Sequence, residues 1–142
     1  MIYLDTGCLL KLYYPEPESA KVARLVAAQV IALGLLHEIE FSNAIEHKLF
    51  RKEATLDQAR LANALLEKDV RGGVLHRPAI AWEEVLADAR LLARTHTRTI
   101  GCRSLDVVHC AIARHLSATS FITTDRRQRR LARAIGLSCP VV

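Results

Sequence analysis

Two periods of apolar residues alternate along the chain. Short continuous runs, Met1–Leu4, Val30–Leu33, Val74–His76 and Ser120–Thr124, are rich in β-branched and aromatic side chains and read as strands. Longer stretches between them repeat apolar residues every three or four positions and read as helices. Cys8 to Tyr13 forms the first helix, stopped by Pro15 and Pro17, and Pro17-Glu18-Ser19 opens a second with Val22, Leu25 and Val26 on one face. Helices are also expected from Leu35 to Lys52, from Thr55 until Gly72-Gly73, from Ala81 to Thr97, and from Ser104 through Leu116. A last one runs from Arg126 to Ile135 and is closed by Gly136. Thr6 and Ser104 are the expected N-caps of their helices, and Thr55 with Gln58 has the spacing of a capping box. Cys139–Val142 reads as an edge strand, where Pro140 is tolerated.

Unbroken apolar strands alternating with helices imply a mainly parallel sheet covered on both faces, an α/β three-layer sandwich. No linker, repeat or low-complexity tract interrupts it, so 1–142 is expected to be a single domain. In such sheets functional groups gather beyond the carboxyl ends of the strands. Asp5 and Asp125 each stand directly after a strand and so fall at that edge.

Composition adds a partner and a compartment. The chain is 51% hydrophobic and 25% charged with a net charge of +5, a balance that suits a folded domain with an anionic partner such as nucleic acid. The four cysteines form no CxxC pair, and Cys8, Cys110 and Cys139 lie in apolar runs, so buried thiols are expected rather than zinc or disulfides. Asp5 and Lys11 break the N-terminal apolar stretch, and no run reaches the roughly 18 apolar residues of a membrane helix. The expected location is cytoplasmic.

The acids carry the chemistry. Taken singly, Asp5 and Asp125 read first as helix N-caps and second as site residues. Asp106 suits the first turn of its helix, where the dipole favours an acid. Glu40 lies within Ile39-Glu40-Phe41, with no Lys or Arg on its face, and a buried unpaired carboxylate is costly. A hard divalent cation, Mg²⁺ or Mn²⁺, would compensate Asp5, Glu40, Asp106 and Asp125 together, activate water and screen an attacked phosphate. Arg126-Arg127-Gln128-Arg129-Arg130, with Arg133, is the densest positive patch, either a solvated helix face or an RNA contact; without interleaved aromatics, Arg126, Arg127 and Arg130 suit RNA phosphates better than bases. Thr6, Ser104 and Thr124 are candidate supporting hydroxyls. Glu38 competes with Glu40, and Glu46 reads as a surface acid.

At these residues the chain resembles the PIN-domain family, and within it the VapC-type toxins. Ile2-Tyr3-Leu4-Asp5-Thr6 with Leu9-Leu10-Lys11-Leu12-Tyr13 is similar to the family's opening motif. Glu40-Phe41-Ser42-Asn43-Ala44-Ile45 is similar to the second. Arg103-Ser104-Leu105-Asp106-Val107-Val108-His109-Cys110-Ala111 resembles the third, and Phe121-Ile122-Thr123-Thr124-Asp125-Arg126-Arg127 the fourth. The resemblance implies a PIN-like three-layer fold, Mg²⁺- or Mn²⁺-dependent endoribonuclease activity on those four acids, a cognate antitoxin and frequent homodimers. Gly7-Cys8 departs from the pattern, removing a hydroxyl or amide beside Asp5. Two other readings remain open. One is a PIN-like module that binds RNA or protein with little or no catalysis. The other is a phosphotransferase using Asp5, for which Gly7 stands where a second acid is wanted. His109, one turn beyond Asp106, is expected to make a structural hydrogen bond rather than bind a hard cation.

Overall fold

The strands are only two residues long, so each depends on its neighbours for order. In the computed structural model, which describes residues 1–142, they are β1 (Tyr3–Leu4), β2 (Ile31–Ala32), β3 (Leu75–His76) and β4 (Phe121–Ile122). Tyr3 and Leu4 pair in parallel with Phe121 and Ile122, and Ile31 and Ala32 pair in parallel with Leu75 and His76. A parallel bridge between Ile2 and Ile31 joins the two pairs into the order β3-β2-β1-β4.

Side chains then alternate across this sheet, as the pleat requires. Leu4, Ile31, Leu75 and Ile122 enter one apolar cluster with α1 (Thr6–Tyr13), α2 (Ser19–Val26), α3 (Leu35–Phe50) and α4 (Leu56–Arg71). Tyr3, Ala32 and Phe121 enter the other with α5 (Trp82–Ile100), α6 (Ser104–His115) and α7 (Arg126–Ala134). Burial on both faces explains why the strands read as unbroken apolar runs. The expected α/β/α sandwich with a parallel sheet is what forms.

Local chemistry sets the helix ends. Thr55 and Gln58 make the expected reciprocal cap, with Gln58 N–H donating to the Thr55 hydroxyl at 3.2 Å and Thr55 N–H to the Gln58 side chain at 2.9 Å. α5 runs three residues past the expected Thr97 and stops at Gly101, whose φ of 78° suits a residue without Cβ. Two expected caps are replaced. Asp5, not Thr6, caps α1, because its carboxylate outcompetes a hydroxyl for the Cys8 N–H at 2.6 Å. Ser104 is the first residue of α6 and makes no cap; the Asp106 carboxylate reaches back to the Arg103 N–H at 3.0 Å. Cys139–Val142 is not a strand. Phe121 N–H donates to Ser138 at 2.8 Å, but Pro140 has no N–H, and the Arg133 guanidinium occupies the Cys139 carbonyl at 3.0 Å. No helix is long and apolar enough to cross a membrane.

Leu9 is fully buried under the sheet, whereas Leu61 on α4 is 59% exposed. Leu9→Ala should therefore lower unfolding free energy by about 2–5 kcal/mol. Leu61→Ala should change it by less than about 0.5 kcal/mol, with urea melts separating the two.

Candidate functional site

Because β1 and β4 are parallel neighbours, their carboxyl ends open side by side. Asp5 leaves one and Thr123-Thr124-Asp125 leaves the other. The Thr123 hydroxyl hydrogen-bonds the second oxygen of Asp5, receives the Asp125 N–H at 2.9 Å, and lies 3.0 Å from the Gln128 side-chain oxygen. Gln128 extends the chain of contacts, its amide donating to the Asp106 carbonyl at 3.4 Å. Asp125 caps α7, one of its oxygens accepting from Arg127 N–H at 2.7 Å and Gln128 N–H at 2.9 Å. Capping and site placement are therefore compatible roles for Asp5 and Asp125.

Glu40 joins from the other side. One of its oxygens, Oε2, takes the Thr6 hydroxyl at 2.5 Å and His109 Nε2 at 2.6 Å, and His109 Nδ1 meets the Tyr3 hydroxyl at 2.8 Å. His37 fixes the start of α3: its Nδ1 accepts from Gly34 N–H at 3.0 Å and its Nε2 donates to the Leu4 carbonyl at 2.8 Å. Glu40 follows one turn later on the same helix. Two hydrogen-bonded groups thus meet at the Asp5–Thr6 peptide: Asp5 with Thr123, Gln128, Asp125 and the Asp106 carbonyl, and Glu40 with Thr6, His109 and Tyr3. Asp5 is buried, Glu40 and Asp106 are half-buried, and Asp125 is exposed.

Electrostatics distinguishes the acids. Burial pushes the Asp5 carboxyl above its ordinary value, against the lowering by hydrogen bonds from Thr123 and Cys8. Burial acts the same way on Glu40 but is outweighed by the bonds from His109 and Thr6, and its carboxyl lies below the usual range. The expectation of an uncompensated Glu40 is corrected in this respect: its partner is a histidine from α6. Burial, followed by the neighbouring His109, drives His37 down to about 3, so it stays neutral. Asp5, Asp106 and Asp125 have no salt bridge to any Lys, Arg or His.

Among the expected supporting hydroxyls, only Thr6 contacts an acid. Ser104 is exposed and Thr124 half-buried, and neither side chain makes a hydrogen bond. Thr123 and Gln128 fill that role instead. Helical spacing from Leu131 and Ala132 places Gln128 on the buried face of α7, which is the sequence signal for it. The basic run divides similarly. Arg129 and Arg133 donate to the Thr123 and Cys139 carbonyls, Arg127 to Gly101 at 3.1 Å, while Arg126 and Arg130 are exposed without ion pairs.

The donor set is all oxygen, and Asp5 is a buried carboxylate with no cationic partner, which fits a hard cation. No three Asp, Glu, His or Cys side chains converge closely enough to share an ion as they stand. The fit is therefore to an ion that keeps most of its water and takes one or two carboxylates, as Mg²⁺ does. The four buried thiols belong to the core.

The parallel sheet covered by helices on both faces, with an aspartate following β1 and another near the end of β4, defines an α/β protein. The PIN-domain family model matches residues 2–134, and the chain belongs to that family. Its fold is similar to that of FitAcB from Neisseria gonorrhoeae, with a TM-score of 0.67 and 18% identity over 98% of this chain and 96% of the other. No curated protein matches the sequence significantly.

Asp5 yields a stability prediction. Its folded-state pKa lies above the unfolded value, so stability falls as pH rises from 3.8 through the raised value. Without divalent cations at pH 7, Asp5→Asn should unfold at higher urea than the parent, and the advantage should vanish below about pH 4. Asparagine can keep both contacts, accepting from Cys8 and donating to Thr123. Equal midpoints at pH 7 would contradict this account.

Proposed function

We propose that the chain is a Mg²⁺- or Mn²⁺-dependent endoribonuclease, acting in the cytoplasm as the single-domain toxin of a type II toxin–antitoxin pair. The observation that carries the reading is Asp5: a buried carboxylate without a cationic partner, bonded to Thr123, which also contacts Asp125 and Gln128, and followed directly by Thr6, which bonds Glu40. PIN domains are in general metal-dependent nucleases. Asp5, Glu40, Asp106 and Asp125 are the residues that would hold the cation, one or two of them directly and the others through its water. When bound, such an ion polarises water and screens the scissile phosphate.

The chain's own residues supply the rest. Hydrogen bonds fix one oxygen of Glu40, Asp106 and Asp125 and both oxygens of Asp5, so the carboxylates are held in place before RNA arrives. Arg126 and Arg130, exposed and unpaired beside Asp125, suit phosphate contacts, and the net charge of +5 offsets the repulsion between RNA and the acids. Arg127 is tied to Gly101 and contributes mainly its charge.

The antitoxin reading has its own support. An apolar groove of about 430 Å³ between α1, α2 and α4, lined by Tyr13, Tyr14, Ala20, Ala23, Leu61 and Leu65, suits an amphipathic segment. One observation favours the second reading, a PIN-like binding module with little catalysis: Glu40 already has two partners, and the acids do not converge.

Chelation separates the readings. Purified protein should cleave RNA with Mg²⁺ or Mn²⁺, stop in EDTA and recover on adding either ion, and Asp106→Asn should lose about 10²–10⁴-fold in rate. Cleavage that survives exhaustive chelation would rule out this chemistry, and no cleavage with either ion would favour the binding module. Expression of the chain alone should arrest growth, Asp5→Asn should not, and co-expression with an adjacent small gene should give an inactive complex. Harmless expression of the active enzyme would remove the toxin assignment.

A further inference from the structure

Glu40 is held by a buried relay that starts on a different element. Tyr3, on β1, is 1% exposed and His109, on α6, is 2% exposed, so neither side chain can exchange its partner for water. His109 Nε2 faces a carboxylate, and its Nδ1 faces a hydroxyl that can donate or accept. A carboxylate only accepts, so His109 Nε2, 2.6 Å from Glu40 Oε2, carries the hydrogen. In the neutral ring Nδ1 is then bare and accepts from the Tyr3 hydroxyl at 2.8 Å. Burial, with Glu40 next, raises the Tyr3 phenol well above its ordinary value, so it remains a donor. Thr6, the neighbour of Asp5, adds a second donor to the same oxygen at 2.5 Å. Oε2 is thereby filled twice, while Oε1 makes no hydrogen bond within the chain.

We propose that His109 is a positioning residue, locked in its Nε2–H tautomer by Tyr3, which with Thr6 pins Oε2 of Glu40 and leaves Oε1 as that residue's free oxygen for a divalent cation. This rests on the cation reading given above. Groups that hold a ligating side chain from behind set its orientation and basicity, and their loss typically weakens metal binding about 10–100-fold. His109 never touches the ion: it acts through Glu40.

Mn²⁺ binding measured by calorimetry on the purified chain tests both levels. Asp5→Asn is the control for the cation site itself. If it binds Mn²⁺ like the parent, the reading of the site fails. If Asp5→Asn loses binding, His109→Leu should weaken it about 10–100-fold. His109→Gln, whose amide can donate from near the Nε2 position, should return it to within about threefold of the parent. A merely structural histidine would predict that Leu and Gln fall together, or that Leu has no effect, and either result overturns the proposal. Should His109→Leu fail to fold, Tyr3→Phe and nitrogen NMR of the imidazole decide. The parent should show protonated Nε2 and bare Nδ1, and Tyr3→Phe should mix the tautomers and weaken Mn²⁺ binding. A parent ring protonated at Nδ1 and bare at Nε2, or unchanged binding in Tyr3→Phe, would overturn the proposal.

Discussion

Burying the carboxylate of Asp5 at the end of a parallel strand imposes a demand that no single element meets. An ionised carboxylate removed from water needs several donors, and only the convergence of separate segments supplies them here. The backbone of α1 contributes one through Cys8, and the residue following β4 contributes another through Thr123. The second exists only because β1 and β4 pair in register, Tyr3 with Phe121 and Leu4 with Ile122. A slip by one residue would carry Leu4 and Ile122 to the opposite face and separate Thr123 from Asp5. The same pairing carries Gln128 and Asp106 into reach, so sheet register and site geometry are one constraint.

Much of this was legible before the fold was known, because periodicity reports burial directly. Strands covered on both faces read as apolar runs, and amphipathic helices such as α4 read through Ala59, Ala62 and Leu66. The acids at the ends of β1 and β4 were legible for the same reason: a charge stops an apolar run. What stayed hidden depends on partners distant in sequence. Thr6 has both a cap-like position and a hydroxyl within reach of Glu40, and spacing cannot choose between those uses. Asp5 takes the cap, and Thr6 is released to Glu40, 34 residues away. Glu40 likewise seemed unpaired because His109 is 69 residues away on another helix. Cys139–Val142 has the composition of an edge strand, but Pro140 lacks the N–H that pairing would need.

The arginines of α7 illustrate how one composition divides into unlike roles. A helix of nine residues with a buried Leu131 and Ala132 must turn some of its basic side chains toward the sheet. Arg129 is half-buried there and donates to the Thr123 carbonyl, while the exposed Arg133 reaches the Cys139 carbonyl. Arg129 thereby holds the backbone of the very residue whose hydroxyl meets Asp5. The exposed positions Arg126 and Arg130 keep their charge for solvent or a ligand. A count of positive residues overstates the surface available to RNA, and helical phase corrects it.

The hydrogen bonds of the four acids share one feature that bears on how the network could accept a ligand without rebuilding. Asp106 uses one oxygen on Arg103 N–H, Asp125 uses one on two amides of α7, and Glu40 uses one on Thr6 and His109. Each keeps its other oxygen free of contacts within the chain. Asp5 is the exception, since Cys8 takes one oxygen and Thr123 the other. Yet the Thr123 hydroxyl has a single proton and two acceptors, the second being the Gln128 side chain at 3.0 Å. Rotating that one hydroxyl transfers its donation to Gln128 and releases the Asp5 oxygen, with no backbone movement and no donor left unpaired. The exchange keeps the number of hydrogen bonds but trades a charge-assisted bond to a carboxylate for a neutral one to an amide oxygen. Thr123 therefore ties the Asp5 carboxylate to Gln128 and, through the Asp125 N–H that it accepts, to the start of α7.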